Sequence, residues 1–245
     1  MKITKHIPNL ITALNILSGS LAIVMAFEGN LVLSAIFIGV ASIFDFLDGM
    51  AARILNAYSD MGKELDSLAD MLSFGFAPAA ILYSLICTSI CIDGFSSLPS
   101  ITEMIIISTP FLIAIFSGLR LAKFNVDTRQ TSSFIGLPTP ANAILIASLP
   151  IVLHYSNIES LKEIILNQYI LIAFIILQSF LLIAEFPMFS LKFKNLKFAE
   201  NKIRFVFIGI SIILLITLHV VSIPIIIFFY IVLSAINNWI LSPNK

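Results

Sequence analysis

The sequence predicts an all-α, polytopic transmembrane helical bundle of about eight helices, and two observations support this fold class. Hydrophobic residues make up 59% of the 245 residues, charged residues make up only 11%, and the mean hydropathy is +1.04. Charged residues alone form roughly a quarter of an average soluble domain. Apolar stretches of about 20 residues, the length of a helix that crosses a bilayer, also recur along the whole chain. No soluble domain fits between them, so a single membrane domain over residues 1–245 is expected.

Eight membrane spans follow from the positions of these apolar stretches. Their predicted bounds are 10–27, 31–52, 64–92, 104–122, 138–155, 165–185, 204–220 and 222–241. The last two are separated only by the region Ser222–Pro224, where a proline interrupts helical hydrogen bonding. A single long broken helix is the alternative there, and it would move the C-terminus to the other side of the membrane.

The basic residues lie almost entirely on one side of the predicted membrane. Eight spans make the connecting loops alternate between two sides, and one side then holds 13 of the 14 Lys and Arg residues, all except Lys162. Cytoplasmic loops of membrane proteins carry such an excess of Lys and Arg. Both termini are therefore predicted to be cytoplasmic. The formal net charge of zero conceals this polarity, and nucleic acid is not an expected partner.

Four aspartates gather where the second span ends and the third begins. On each of the two helices, small and acidic residues share one face at helical spacing: Asp45, Asp48, Gly49 and Ala52 on the first, and Gly62, Asp66 and Asp70 on the second. The intervening segment 56–60 offers N-cap residues for the second helix and makes the pair antiparallel. The acidic faces of the two helices are therefore predicted to face each other.

Such a cluster predicts a divalent metal site. A carboxylate at mid-bilayer costs about 2.5–3.5 kcal/mol on insertion scales, and four close carboxylates also repel one another or take up protons. Divalent cations supply the missing charge, and an all-oxygen site without clustered His or Cys favours Mg²⁺, Mn²⁺ or Ca²⁺ over zinc. The alternative interpretation is a polar seam, or a cation or proton pathway of a transporter.

The stretch from Asp45 to Asp70 resembles the CDP-alcohol phosphatidyltransferase family, whose pattern D-x2-D-G-x2-A-R-x8-G-x3-D-x3-D it fills at every named position. The resemblance implies the fold of that family and a transfer that releases CMP. In that reaction a CDP-linked lipid gives its phosphatidyl group to an alcohol, at a site with two metal ions, Mg²⁺ or Mn²⁺, facing the cytoplasm. Two metal ions can bridge a diphosphate and stabilise both the entering and the leaving oxygen.

The resemblance also assigns roles to particular residues. It implies four metal ligands, namely Asp45, Asp48, Asp66 and Asp70. Asp70, with Asp66 beside it, is the candidate catalytic residue, because a carboxylate at the edge of the site could take the proton of the acceptor hydroxyl. The residues implied to line the nucleotide are Gly49, Ala52, Arg53, Gly62 and Ser67. On this view the catalytic core covers about 8–185, followed by C-terminal helices over 204–241.

Further blocks resemble the phosphatidylserine synthases within the family, over roughly residues 8–150. They are Pro8-Asn9-Leu-Ile-Thr12, Asn15–Gly19, Leu65–Pro78, Leu119–Asn125 and Phe134–Ala141. This resemblance implies CDP-diacylglycerol and L-serine as substrates and a homodimer in a prokaryotic cytoplasmic membrane. Another acceptor, such as glycerol phosphate or inositol phosphate, remains an alternative within the family.

Two groups of residues are predicted as substrate contacts on weaker grounds. Pro8, Asn9 and Thr12 are either nucleotide contacts or ordinary residues of a helix start. Arg120 and Lys123 lie three residues apart at a predicted cytoplasmic helix end, where they could meet a lipid phosphate or the carboxylate of an amino acid. Basic residues at that position also serve orientation alone. Lys123 stands where the subfamily is expected to carry Arg, and lysine lacks the bidentate fork of arginine.

Overall fold

The computed structural model describes residues 6–97, 99–126, 134–185, 187–188 and 201–241, and most of these residues lie in helices. In chain order the helices are α1 (Ile7–Phe27), α2 (Leu31–Ile54), α3 (Asp60–Asp70), a π-helix (Met71–Phe76), α4 (Ala77–Ser89), a 3₁₀ turn (Gly94–Ser97), α5 (Ile101–Ser108), α6 (Phe111–Val126), α7 (Thr139–Tyr155), α8 (Glu159–Ile165), α9 (Gln168–Ile183), α10 (Lys202–Leu218), a 3₁₀ turn (His219–Val221) and α11 (Ser222–Leu241). The strands β1 (Phe134–Ile135) and β2 (Pro187–Met188) form one short antiparallel pair.

The structure is that of a multi-pass membrane protein, as predicted. Within the described ranges, five helical stretches are long and apolar enough to cross a membrane, or six when the bent pair α8 and α9 counts as one span. Many large apolar side chains point outward, among them Ile43, Phe46 and Ile216, which are 59%, 68% and 70% exposed. In lipid such side chains face a solvent as apolar as themselves. The three basic residues Lys192, Lys194 and Lys197 lie outside the described residues.

The helices α1 and α2 form a tight antiparallel hairpin. Gly29 adopts a φ of +77° in the connecting turn, a conformation that side chains with a Cβ rarely tolerate. Asn30 then caps α2, since its side chain accepts a hydrogen bond from the N–H of Leu33 at 3.2 Å. Deeper in the hairpin, the Ser34 hydroxyl donates to the carbonyl of Ala22 at 2.7 Å. The two helices therefore approach closely along their small residues.

A second sharp turn connects α2 to α3. The N–H of Asn56 donates to the carbonyl of Arg53 and the N–H of Ala57 donates to that of Ala52, with Asn56 in the left-handed region at φ 49°. This pair of bonds is the Schellman motif, which satisfies carbonyls at a helix end. Ser59 then caps α3, because its side chain accepts from the N–H of Gly62 at 3.0 Å. The predicted cap within 56–60 is thereby confirmed.

The third span is not one regular helix. It begins as α3, passes through the π-helix Met71–Phe76 directly after Asp70, and continues as α4. Nine of the thirteen α4 residues are buried, including Ile81, Leu82 and Ile86 with no exposed surface. The helix α4 is therefore central in the bundle, surrounded by α1, α2, α6 and α7.

The fourth predicted span is interrupted, and the sixth is preceded by a short helix at an angle to it. The helix α5 ends at Ser108 and α6 begins at Phe111, with Pro110 in the gap, where proline cannot donate the backbone hydrogen bond that would continue the helix. The predicted span 165–185 becomes α9, and the short α8 before it meets it at 63°. The helices α6 and α9 pack side by side.

The C-terminal helices form a hairpin. By length and hydropathy Lys202–Ser234 counts as one helical stretch of 33 residues, yet Phe207 of α10 lies 6.1 Å from Phe229 of α11, ring centroid to ring centroid. Residues 22 apart in a continuous helix would be separated by about 33 Å. The chain therefore reverses at His219, whose φ is 47°, and the predicted separation of the seventh and eighth spans is confirmed.

Candidate active site

The two predicted acidic faces meet at the α2–α3 corner. Carboxylate oxygens of Asp45, Asp48 and Asp66 all lie within 4.8 Å of one another. The carboxyl groups of Asp45 and Asp70 are close enough to interact electrostatically. Asp48 is 5% exposed, and the second carboxylate oxygen of Asp70, Oδ1, is buried with no partner among the described residues. Four acidic groups from two helices thus share one small volume.

These carboxylates fit a divalent cation. Oxygens on opposite sides of a bound ion are separated by about twice the metal–oxygen distance, which is about 4.2 Å for Mg²⁺ and about 4.8 Å for Ca²⁺. The three carboxylate oxygens already lie within that range. Without a cation or protons, their mutual repulsion in a region of low dielectric would be severe. The Asp cluster could therefore hold a metal ion, and the unpartnered Oδ1 of Asp70 is a further oxygen for it.

The helix α1 supports this cluster from the side. Thr12 is 3% exposed, and its hydroxyl donates to Asp48 Oδ2 at 2.7 Å. The same hydroxyl lies 3.0 Å from the carbonyl oxygen of Pro8. This bond fixes the orientation of the Asp48 carboxylate, in the way that outer hydrogen bonds orient metal ligands.

A cavity of about 210 Å³ opens beside the aspartates on the side of the α2–α3 turn. It is lined by residues of α1, α2, α3 and that turn, namely Pro8, Asn9, Thr12, Asp48, Gly49, Ala52, Ala57, Tyr58, Ser59, Gly62, Lys63 and Asp66. Gly62 is needed for space, since a Cβ there would lie 3.0 Å from Ser59 Oγ and 3.1 Å from Asn9 Oδ1. The small residues of the motif therefore keep this cavity open.

Four residues predicted as substrate contacts do not line the cavity, namely Arg53, Ser67, Arg120 and Lys123. Arg53 is exposed on the last turn of α2. Ser67 accepts a hydrogen bond from Asn125 Nδ2 at 2.9 Å and so faces α6. Lys123 forms an ion pair with Glu185 at 2.9 Å, with its side chain 40% exposed. Arg120, by contrast, is only 8% exposed and interacts electrostatically with Asp70.

A family model described as CDP-alcohol phosphatidyltransferase matches residues 5–181. The chain belongs to the CDP-alcohol phosphatidyltransferase family. The match includes the aspartate cluster and the whole lining of the cavity, and it ends within α9. The helices α10 and α11 lie beyond the part that the family model covers.

Proteins similar to this family member occur in bacteria and archaea. A Bacillus subtilis protein named CDP-diacylglycerol–serine O-phosphatidyltransferase is 40% identical over 135 residues, which cover 55% of this chain and 70% of that protein. A Helicobacter pylori protein of the same name is 37% identical over 141 residues, 57% of this chain and 54% of that protein. An archaetidylserine synthase of Methanothermobacter thermautotrophicus is 36% identical over 163 residues, 65% of this chain and 64% of that protein.

The structure of this family member also draws attention to residues that sequence reasoning did not single out. Tyr58 and Lys63 line the cavity, and Lys63 Nζ donates to the carbonyl of Asn125 at 3.2 Å. Ser117 and Gln178 are buried polar residues in apolar spans, and Ser117 Oγ and Gln178 Oε1 lack a partner within the described part of the chain. Their sequence signal was available, because polar residues inside membrane spans are rare and commonly functional.

Proposed function

We propose that the protein transfers the phosphatidyl group of CDP-diacylglycerol to the hydroxyl of L-serine, giving phosphatidylserine and CMP. The observation that carries this proposal is the complete aspartate motif of the family, folded into one carboxylate cluster next to a cavity. The names of the bacterial relatives support CDP-diacylglycerol and serine as the substrates.

The cavity beside the aspartates is the proposed position of the cytidine nucleotide. It is bounded by the small residues Gly49, Ala52 and Gly62, so a ligand can approach the helix backbones closely. Lys63 adds a positive charge at its edge. With the nucleotide there, the diphosphate would extend toward Asp48 and Asp66, the two acidic residues of the cavity wall.

Asp45, Asp48, Asp66 and Asp70 are the proposed ligands of two divalent cations, Mg²⁺ or Mn²⁺. Bound there, the cations would neutralise the diphosphate and stabilise charge on its oxygens during transfer. The chain contributes the geometry, because α2 and α3 present two carboxylates each and Thr12 holds that of Asp48 in place.

Asp70 is the proposed proton acceptor. In the reaction a bond forms between the serine hydroxyl oxygen and the phosphorus, the bond from phosphorus to the CMP oxygen breaks, and the hydroxyl proton moves to the Asp70 carboxylate. Two features support this role: Oδ1 of Asp70 is buried without a partner among the residues described, and Asp70 does not line the nucleotide cavity. It therefore lies on the side from which an acceptor can approach.

The proposal includes an orientation and an assembly. The cavity opens at the end of the bundle that carries Arg53, Lys63 and Lys123, so we assign it to the cytoplasmic face of a prokaryotic cytoplasmic membrane. Both termini would be on the same face. A homodimer is proposed from the family resemblance.

The test is a CMP-release assay on the purified protein in detergent. The protein is incubated with CDP-diacylglycerol, Mn²⁺ or Mg²⁺, and one acceptor at a time: serine, glycerol phosphate or inositol phosphate. We expect CMP and phosphatidylserine with serine only. CMP release with a different acceptor only would support the transfer reaction but refute serine as the acceptor. No CMP release with any acceptor would refute the proposed reaction. Ion transport by the aspartates would then be measured in liposomes.

A further inference from the structure

The helices α6 and α9, which pack side by side, carry buried polar groups that lack hydrogen-bond partners among the described residues. Ser117, Arg120, Gln178 and Ser179 are between 0% and 8% exposed. One polar atom of each has no hydrogen-bond partner within residues 6–241 as far as they are described. Such groups inside a membrane bundle cost free energy unless something pairs with them. Their occurrence together indicates a binding pocket for a polar molecule.

Packing places the two α6 groups, Ser117 and Arg120, near Asp70. The π-helix that follows Asp70 rests on α6 at Gly75, where a Cβ would lie 3.3 Å from Cβ of Ser117. Arg120 is three residues further along α6, on the same face as Ser117, and interacts electrostatically with Asp70. The pocket wall formed by α6 therefore begins within about one helical turn of the proposed proton acceptor.

The other two buried polar groups belong to α9, which packs against α6. The ion pair of Lys123 with Glu185 sets α6 and α9 in register. Ser117 lies six residues before Lys123, and Ser179 lies six residues before Glu185. The two serines are therefore at about the same depth in the membrane bundle. Gln178 directly precedes Ser179 in α9. The oxygen atoms of these three side chains can accept hydrogen bonds from an ammonium group.

A third wall comes from outside the part of the chain that the family model matches. Tyr230 of α11 is 8% exposed and interacts electrostatically with Arg120. The family model ends at residue 181, so α11 is not part of what it describes. The acceptor is the substrate that differs between members of this family. A residue that determines acceptor specificity is therefore expected in a region that the members do not share, and α11 is such a region.

We propose that this pocket binds the acceptor as a zwitterion, with Arg120 and the Tyr230 hydroxyl on its carboxylate and the oxygens of Gln178, Ser117 and Ser179 around its ammonium group. This inference rests on the proposed function and deepens it, because it assigns the residues that select an α-amino acid. In an in-line displacement the nucleophile enters opposite the leaving group. Neither Asp70 nor any residue of the proposed acceptor pocket lines the nucleotide cavity, which agrees with that requirement.

The test compares L-serine with L-serinamide, which keeps the hydroxyl and the ammonium group and lacks the carboxylate. For Arg120→Gln we expect the ratio of kcat/KM for serine to kcat/KM for serinamide to fall about 10- to 100-fold, the contribution of a hydrogen bond to a charged group. For Tyr230→Phe, which removes one hydroxyl, we expect a fall of about 2- to 10-fold. The KM for CDP-diacylglycerol should stay constant in both variants.

Matched controls are Lys162→Gln, a loss of a cation on the opposite side of the membrane, and Tyr169→Phe, a loss of an exposed hydroxyl. Neither should change the serine to serinamide ratio. If Arg120→Gln and Tyr230→Phe lower kcat/KM equally for serine and for serinamide, the pocket is wrongly assigned, although the proposed transfer reaction is still supported. If the unmodified protein releases no CMP with serine, it is the proposed function that fails.

Discussion

The contact between Gly19 of α1 and Ser73 of the π-helix gives a quantitative prediction for Gly19→Ala. A Cβ at residue 19 would lie 2.9 Å from Cα of Ser73 and would overlap the Ser73 hydroxyl. Ordinary contacts of a Cβ begin at 3.4 Å, so α1 and the π-helix must separate by about 0.5 Å. The Ser73 hydroxyl, which donates to the carbonyl of Asn15 at 3.2 Å, must also move.

This displacement reaches the proposed proton acceptor, because Asp70 is three residues before Ser73. A misplacement of about 1 Å in a catalytic group costs roughly 100-fold in rate, so a shift of half that size predicts a loss of about tenfold in kcat. Overpacking also costs about 1–3 kcal/mol of stability. Replacing glycine by alanine in a helix also stabilises the folded state by up to about 1 kcal/mol, which offsets part of that cost.

The matched control is Gly39→Ala, because Gly39 lies within α2 and a Cβ there meets no atom within 4 Å. We expect Gly39→Ala to keep full kcat and to be equally or more stable than the unmodified protein. The measurements are CMP release at saturating substrates and thermal unfolding in detergent. Equal kcat for Gly19→Ala and Gly39→Ala would refute the claim that packing of the π-helix positions Asp70.

Three further predictions concern the aspartate cluster. Asp70→Asn should abolish CMP release while expression and thermal stability persist, because an amide cannot accept the proton. Thr12→Val should lower kcat/KM about 2- to 10-fold, since it removes the hydrogen bond that orients Asp48. Chelation by EDTA should abolish activity and lower the melting temperature, because the carboxylates then repel one another, and Mg²⁺ or Mn²⁺ should restore both.

The two substitutions each have a matched control variant, and the return of activity with Mg²⁺ or Mn²⁺ is the control for EDTA. For Asp70→Asn the control is Asp60→Asn, an exposed aspartate in the first turn of the same helix, which should retain activity. For Thr12→Val the control is Thr88→Val, because the Thr88 hydroxyl donates to the carbonyl of Ser84 within the same helix. Near-normal turnover of Asp70→Asn would exclude Asp70 as the base. Full activity in EDTA would show that the cluster works without metal.

Local periodicity was sufficient to predict the site because its parts are close in the sequence. Asp45 and Asp48 are one turn apart on one helix, Asp66 and Asp70 are one turn apart on the next, and a short turn forces the two helices to be antiparallel. Because Ser59 caps the second helix, as predicted, the acidic faces of the two helices are directed toward each other. The meeting of the carboxylates follows from spacing and turn chemistry alone.

Contacts between distant segments could not be predicted in the same way. Lys123 was predicted to lie at a cytoplasmic helix end, yet its ion pair with Glu185 depends on the side-by-side packing of α6 and α9. Tyr230 reaches Arg120 only because α10 and α11 fold into a hairpin that brings α11 back to the bundle. Hydropathy predicts that such helices exist, but it carries no information about which helix faces which.

The π-helix explains how one membrane span serves two different surroundings. A π turn holds one more residue than an α turn, so it offsets the faces before and after it by about 100°, the angle of one residue in an α-helix. Asp66 before the turn therefore faces Asp48 across the cleft, while Gly75 packs against α6 and α4 buries most of its residues in the core. A regular helix through Met71–Phe76 would rotate either the acidic face away from α2 or the apolar face away from the core. Because the segment is held by Gly19 and Ser73 on one side and by Gly75 and Ser117 on the other, packing stabilises the bulge where the local sequence shows no break.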